Sequence, residues 1–361
     1  MTEELRVGMI GLGGIATRAH LPALVALSGV VIQAGAEVDA YQASRTQQRF
    51  GVPNVYPTYE EMLASEALDA VYVCLPNALH YQAAHAALSR GLHVYCEKPV
   101  GLSAQEAQGL AKQAGEAKLV LMPGYHLRFD EHFLRARELL KERRLGKILQ
   151  RQASAVYSGP YRGWDPKSDW HLDPRSGGPL YDWGSHLLDL LVYITDLKIE
   201  SVSAMAQKSL PGFPLKDNIV VAFQAHKDIV GTINLGWGDR GNLLMIQIHG
   251  SAGSLLVSDD YYEYRTPTGG GLNKLGTLLG NAQEIFTRKA GSVIHHKPSD
   301  SIYVRSAACF MDAIRGNIQL EQPKWDAVHV HHVLSAIAAS VEQGISITSD
   351  MPQAHALQGE A

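Results

Sequence analysis

The sequence predicts an α/β protein: an N-terminal doubly wound parallel sheet, then a C-terminal α+β region built on a large open-faced, mainly antiparallel sheet. Three observations carry this expectation. Short apolar runs alternate with amphipathic stretches as far as His126. A glycine-rich turn joins the first apolar run to the first helical pattern. Beyond His126 the alternation stops, and runs rich in Val, Ile and Thr follow one another through short connections. A chain of 361 residues is long for one core, and the pattern divides it into two domains, 1–126 and 127–361.

In the first domain the predicted strands are Leu5–Ile10, Val31–Glu37, Ala70–Leu75, Leu92–Cys96 and Leu119–Pro123. Helical patterns lie between them at Ile15–Leu27, Ala40–Phe50, Ala78–Arg90 and Ser103–Ala117. The second domain begins with a charged helix, Asp130–Arg144, and an alternating strand, Lys147–Ser158. A loop rich in Gly, Pro and Trp leads to a helix from Pro179 to Thr195. Four strands follow: Glu200–Gln207, Asn218–Ala225, Ile229–Trp237 and Leu243–His249. The stretch 261–301 has no readable period and is expected to be a surface loop with a short helix, with a substrate lid as the alternative. Helices at Tyr303–Arg315 and Trp325–Gln343 close the chain. One helix cannot cover both faces of such a sheet. A homodimer or homotetramer formed through the open face is therefore expected.

Composition narrows the function classes. The chain is 46% hydrophobic and 19% charged, with a formal net charge of -4, so nothing favours a nucleic-acid partner. Cys74, Cys96 and Cys309 are too few and too scattered for a disulfide framework or a zinc cage, which suits a reducing compartment. His329, His331 and His332 have no suitably spaced carboxylate, and no metal site is expected. No basic leader and no long apolar run is evident, so the expected location is cytoplasmic, away from membranes.

The first strand runs into Gly11-Leu12-Gly13-Gly14-Ile15-Ala16, where a helix begins. Gly11 allows the tight turn, Gly13 lets a pyrophosphate approach the backbone, and Ala16 lets helix pack on strand. This is the Rossmann dinucleotide fingerprint in its expected context. The partner acid is Glu37, about 20 residues beyond Ala16 and at the end of the second strand. A carboxylate there accepts the ribose hydroxyls of NAD and repels the 2′-phosphate of NADP, so NAD is favoured over NADP. Otherwise Glu37 is an exposed strand-end acid, with Asp39 as the cap of the next helix. Leu75-Pro76-Asn77-Ala78-Leu79-His80 follows the third predicted strand and faces the same edge. Asn77 and His80 are cofactor candidates there, although Asn77 serves equally as a helix cap.

The next strand ends in Cys96-Glu97-Lys98-Pro99. An ammonium at this edge can stabilise a developing alkoxide as hydride departs; alternatively, Glu97 and Lys98 form a solvated salt bridge. A second constellation runs from Gly177 to Asp189. Leu180, Trp183, Leu187, Leu190, Leu191 and Ile194 form the apolar stripe of a helix. Asp182, His186 and Asp189 share an adjacent face. This makes His186 a candidate general base, with Asp182 orienting it or binding a substrate hydroxyl. The structural alternatives are a helix-start acid and a packed core histidine.

These segments, in this order and spacing, resemble the glucose–fructose oxidoreductase/inositol dehydrogenase (Gfo/Idh/MocA) family. The similarity extends to Arg128-Phe129 and the last helix, and so covers nearly the whole chain. The resemblance implies Lys98, Asp182 and His186 as the catalytic group. It also implies hydride transfer between a carbinol carbon of a sugar, cyclitol or similar polyhydroxylated compound and a nicotinamide. Two positions depart from the pattern: His126 where asparagine is expected, and His171 where arginine is often found. Substrate candidates are His126, Arg128, Tyr157, Tyr161, Arg162, Trp164 and Trp170, the aromatic ones suited to the apolar faces of sugar rings. Rival functions are an NADP-linked reductase of keto-sugars or imines, a NAD-using glycosidase, and a non-catalytic sensor, which would have no need of an acid–base set.

Overall fold

A computed structural model describes residues 4–159, 169–209, 212–226, 229–238, 242–266, 301–318, 320 and 324–349. Six parallel strands form the first sheet: β1 (Leu5–Ile10), β2 (Val30–Ala36), β3 (Asn54–Tyr56), β4 (Ala70–Val73), β5 (His93–Cys96) and β6 (Leu121–Pro123). Their order is β3-β2-β1-β4-β5-β6. The chain reverses direction across the sheet between β1 and β4, and a ligand crevice belongs outside the strand ends at such a point. The predicted α/β class is present, with one addition. β3 and the helix α3 (Tyr59–Ser65) were not foreseen, because a three-residue strand is too short to show a period.

Local chemistry fixes the helices between the strands. These are α1 (Leu21–Val25), α2 (Ala40–Phe50), α4 (His80–Ser89) and α5 (Ala104–Glu116). Asp39 caps α2 by accepting the N–H groups of Tyr41 and Gln42, and Gly51 ends it at φ 67°. Ser103 caps α5 through Glu106 N–H, while the Glu106 carboxylate reaches back to Leu102 N–H. The helix predicted from Ile15 is split: Ala16–His20 is wound as a π turn and α1 follows.

The second sheet has eight strands. They are β7 (Ile148–Tyr157), β8 (Ile199–Gln207), β9 (Asn218–Ala225), β10 (Ile229–Trp237), β11 (Leu243–Gly250), β12 (Ser254–Val257), β13 (Tyr262–Arg265) and β14 (Ile347–Thr348). The order is β13-β12-β11-β7-β10-β9-β8-β14, with every pairing antiparallel except β7 with β10. Alternation decides which side is buried. Ile219, Val221, Phe223 and Ala225 of β9 point into the core. The inner face packs against α6 (Glu131–Lys141), α7 (Gly178–Thr195) and α9 (Lys324–Gln343), three helices where the sequence suggested one. On the opposite face Leu149, Met205, Val220, Val230 and Leu243 remain exposed.

The C-terminal helices return to the first sheet. α8 (Ile302–Ile314) buries Ala307, Phe310 and Met311 against Val7, Met9, Tyr72 and Tyr95. The start of α9 buries Ala327 and Val328 with Tyr125 and Leu110. The two sheets therefore share packing along one seam, where the candidate site lies. Among the described residues, no helix is long and apolar enough to cross a membrane.

Candidate active site

The glycine turn after β1 has the shape its sequence demands. Gly11 sits at φ 89°, and a Cβ there would lie 2.5 Å from the Cys74 carbonyl oxygen, so only glycine fits. A Cβ on Gly13 would meet nothing within 4 Å; open space faces this backbone, as a phosphate requires. Over Gly14 lies Arg18, whose guanidinium nitrogen is 2.6 Å from the position a Cβ would take. Ile15 closes the turn and Ala16 is buried against the sheet. Glu37 follows β2. Its carboxylate accepts Leu12 N–H at 2.9 Å and Asp39 N–H at 3.1 Å. It is thus a fixed anion tied to the glycine turn, and Asp39 takes the capping role separately. The open backbone, the exposed Arg18 and the anchored Glu37 fit a dinucleotide.

The β4 edge differs from expectation. Asn77 is buried and donates to the Ser176 carbonyl at 3.0 Å, tying this edge to the turn before α7. His80 is buried with both ring nitrogens on the backbone carbonyls of Pro99 and Leu75. It has no ring nitrogen left to offer a ligand. Leu75 and Pro76 follow β4, and their carbonyls are taken by His80 and by Leu79 N–H.

At the end of β5, Glu97 is buried and bonded to the His20 ring at 2.7 Å. Burial raises a carboxyl pKa, but the His20 hydrogen bond, and the charges of His20, His126 and Lys98, outweigh it and hold Glu97 at about 2. Glu97 thus pairs with His20 and accepts the backbone N–H of Lys98 at 3.1 Å, and the alternative of a Glu97–Lys98 side-chain salt bridge is not formed. The Lys98 ammonium instead bonds the Asp182 carboxylate at 2.6 Å and the Asp182 carbonyl at 3.2 Å. The Lys98–Pro99 peptide is cis.

Glycine geometry aims α7 at this amine. Gly177 and Gly178 hold φ 78° and 58°, and Pro179 starts the helix. His186 lies one turn beyond Asp182 and is buried. The i, i+4 spacing leaves Asp182 either to orient it or to bind a substrate hydroxyl. Asp182 reaches Lys98 instead, because the β5 end approaches that side of the helix. Burial, then Lys98, then His126, push the His186 pKa well below its ordinary value. The ring therefore stays neutral. His126 stands edge-on to it, ring centres 4.9 Å apart, and bonds the Tyr303 hydroxyl at 3.2 Å. Burial lowers His126 to about 4. Asp182 Oδ2 and His186 Nδ1 are buried without a partner.

The remaining candidates separate. Arg128 is buried and forms a fork with Asp189, with a further bond to Asp326 at 3.0 Å. It is a structural cation, withdrawn from any substrate. Removing one member of a buried pair strands the other's charge. Arg128→Ala is expected to cost about 3–5 kcal/mol, read as a lowered urea midpoint at unchanged m-value. Tyr157 stacks on Trp183 at 3.8 Å, and Trp183 contacts His186 at 5.5 Å, so Tyr157 supports the site wall. Trp170 stacks on His171 in a short turn before α7. Tyr161, Arg162 and Trp164 lie outside the described residues. Arg18, His20, Trp183 and Tyr303 reach the site unforeseen. Nothing local marks them, and Tyr303 arrives on a helix far down the chain. Among the described residues no group of side chains could hold a metal ion.

Residues 5–125 match the family described as "Oxidoreductase family, NAD-binding Rossmann fold", and residues 133–256 match the GFO/IDH/MocA C-terminal domain. The chain is 25% identical to the D-glucoside 3-dehydrogenase of Escherichia coli, over 96% of this chain and 98% of that enzyme. It is 36% identical to D-xylose 1-dehydrogenase (NADP(+)) 2 of Haloferax volcanii, a match spanning 50% of this chain and 54% of that one. The WlbA dehydrogenase from Bordetella pertussis, solved with NADH and UDP-GlcNAcA, shares the fold at a TM-score of 0.81. That match covers 98% of this chain and 99% of the other at 20% identity.

Proposed function

Because the chain belongs to the Gfo/Idh/MocA family of NAD(P)-dependent oxidoreductases, we propose that it interconverts a secondary alcohol and a ketone on a sugar, cyclitol or sugar derivative, with NAD as its cofactor. One observation carries this reading: the end of β5 and the face of α7 meet, so that the Lys98 ammonium, the Asp182 carboxylate and the neutral His186 ring gather at the dinucleotide edge. Bound nicotinamide supplies the hydride acceptor or donor. Lys98 donates a hydrogen bond to the reacting oxygen and stabilises its alkoxide character. Asp182 holds the amine in place. His186 accepts the hydroxyl proton in oxidation and returns it in reduction.

The unpartnered atoms on Asp182 and His186 support a polyhydroxylated substrate. Each buried, unsatisfied polar group costs about 1–3 kcal/mol, and ring hydroxyls would relieve it. Residues 1–126 would carry the dinucleotide, and residues 127–361 the substrate and the subunit contacts. The exposed apolar face of the second sheet suits a homodimer or homotetramer.

The test is a panel of cyclitols, aldoses, sugar lactones and nucleotide sugars, assayed with NAD and NADP for reduced-nicotinamide absorbance. No turnover with any of them would remove the reading, and net nicotinamide reduction would separate it from a NAD-using glycosidase. Glu37 carries the cofactor preference, since its anchored carboxylate opposes a 2′-phosphate. Glu37→Ala is expected to raise the affinity for NADPH relative to NADH at least about 10-fold, or about 1.4 kcal/mol, by fluorescence titration. An unchanged ratio would assign selectivity elsewhere.

A further inference from the structure

His80 opens α4 below the loop that carries Lys98, and its ring lies between two backbone carbonyls. Nδ1 is 2.6 Å from the Pro99 oxygen and Nε2 is 2.6 Å from the Leu75 oxygen. A neutral imidazole has one N–H and one lone pair. In this setting the lone pair would press against a carbonyl oxygen, acceptor on acceptor, at hydrogen-bond distance. An imidazolium has a donor for each carbonyl, and charged donors make the shorter bonds. The charged groups facing the ring are the Glu97 carboxylate, which favours the cation, and the Lys98 ammonium, which opposes it. Burial is the largest influence and pulls the ring's pKa below its ordinary value, while the two carbonyls and Glu97 pull it up. What favours the cation against burial is the contact itself, since either neutral tautomer would leave a lone pair 2.6 Å from a carbonyl oxygen.

We propose that His80 is a buried imidazolium latch that ties the end of β4 to the residue following Lys98 and thereby positions the Lys98 amine. A second histidine holds the same segment. His331 is buried on α9, with Nδ1 2.6 Å from the Ala327 oxygen and Nε2 3.1 Å from the Gly101 oxygen. The charged groups facing it are Glu106 and His332. The carbonyls on either side of Val100 are thus both held by histidines, one from α4 and one from α9. His80 is a positioning residue. It touches no reacting atom and acts through the backbone that carries the amine.

The proposal rests on Lys98 acting at the reacting oxygen, but the protonation of His80 does not depend on that reading. Isotopic labelling of the histidine ring nitrogens in the whole protein reads the first point. Both His80 nitrogens are expected to be protonated at neutral pH, with His80→Gln identifying the signals. The second point is kinetic. His80→Leu is expected to lower kcat at least about 10²-fold, as a small misplacement of a catalytic group does, with little change in KM for the dinucleotide. His80→Gln, whose amide has two N–H donors, is expected to recover at least about a tenth of the lost rate. A single protonated nitrogen on His80 at neutral pH overturns the latch whatever the kinetics show. So does a His80→Leu enzyme with kcat near that of the unmodified protein. If Lys98→Ala left turnover intact, the reading of the active site would fall, and the nitrogen signals would still decide the state of His80.

Discussion

Lys98→Ala is expected to lower kcat at least about 10³-fold, the upper range for loss of a donor to a developing oxyanion. Two effects add. The reacting oxygen loses its ammonium partner, and Asp182 loses the cation it holds at 2.6 Å. The second effect leaves a largely buried carboxylate uncompensated beside the substrate, where it repels the charge that Lys98 would have stabilised. Lys98→Met paired with Asp182→Asn removes that repulsion while leaving the oxygen without its donor. It should recover only a small part of the rate. Dinucleotide affinity should move by less than about 1 kcal/mol in both variants, because the glycine turn, Arg18 and Glu37 lie on other strand ends. Stopped-flow hydride transfer and NADH fluorescence titration separate the two quantities. Near-normal turnover in Lys98→Ala would exclude this amine from the chemistry.

What sequence could supply here divides along physical lines. The Rossmann strands were legible because fully buried parallel strands are continuous apolar runs. The strands Asn218–Ala225 and Ile229–Trp237 were legible as runs rich in Val, Ile and Thr, and both bounds agree with the structure. β3 was too short to read. The edge strands β12 and β13 fall near a stretch with no clear period. The site was legible as motifs and not as pairings. Glu97, Lys98, Asp182 and His186 are all legible, but their partners are not. Spacing along one helix leaves Asp182 either to orient His186 or to bind a substrate hydroxyl, and adjacency leaves a Glu97–Lys98 salt bridge as the alternative to a catalytic amine. In the folded chain Asp182 takes Lys98 and Glu97 takes His20. Likewise Arg128 looked free to bind substrate until Asp189 and Asp326, both distant in sequence, were seen to enclose it. Partner choice depends on which elements cross, and no local pattern reports that.

His186→Asn is expected to lower the rate of alcohol oxidation by about 10²–10⁴-fold, the range for losing a positioned general base. The pH dependence makes the assignment specific. The folded pKa of His186 lies well below 6.5 through burial and the nearby Lys98 and His126. A base with a depressed pKa stays unprotonated as the pH falls through the ordinary histidine range. Oxidation by the unmodified enzyme should therefore hold its kcat/KM through pH 6.5 and decline only at more acidic values. The residual activity of His186→Asn should lose the histidine-dependent part of that acid limb. Asn keeps the approximate shape and a polar atom without a titrating proton, so a change in the profile reports chemistry and not packing. His126→Asn serves as the comparison. It removes the other buried ring of this pair and its bond to Tyr303, and it should weaken substrate binding while leaving the acid limb in place. An acid limb at or above pH 6.5 that survives in His186→Asn would move the proton acceptor to another residue.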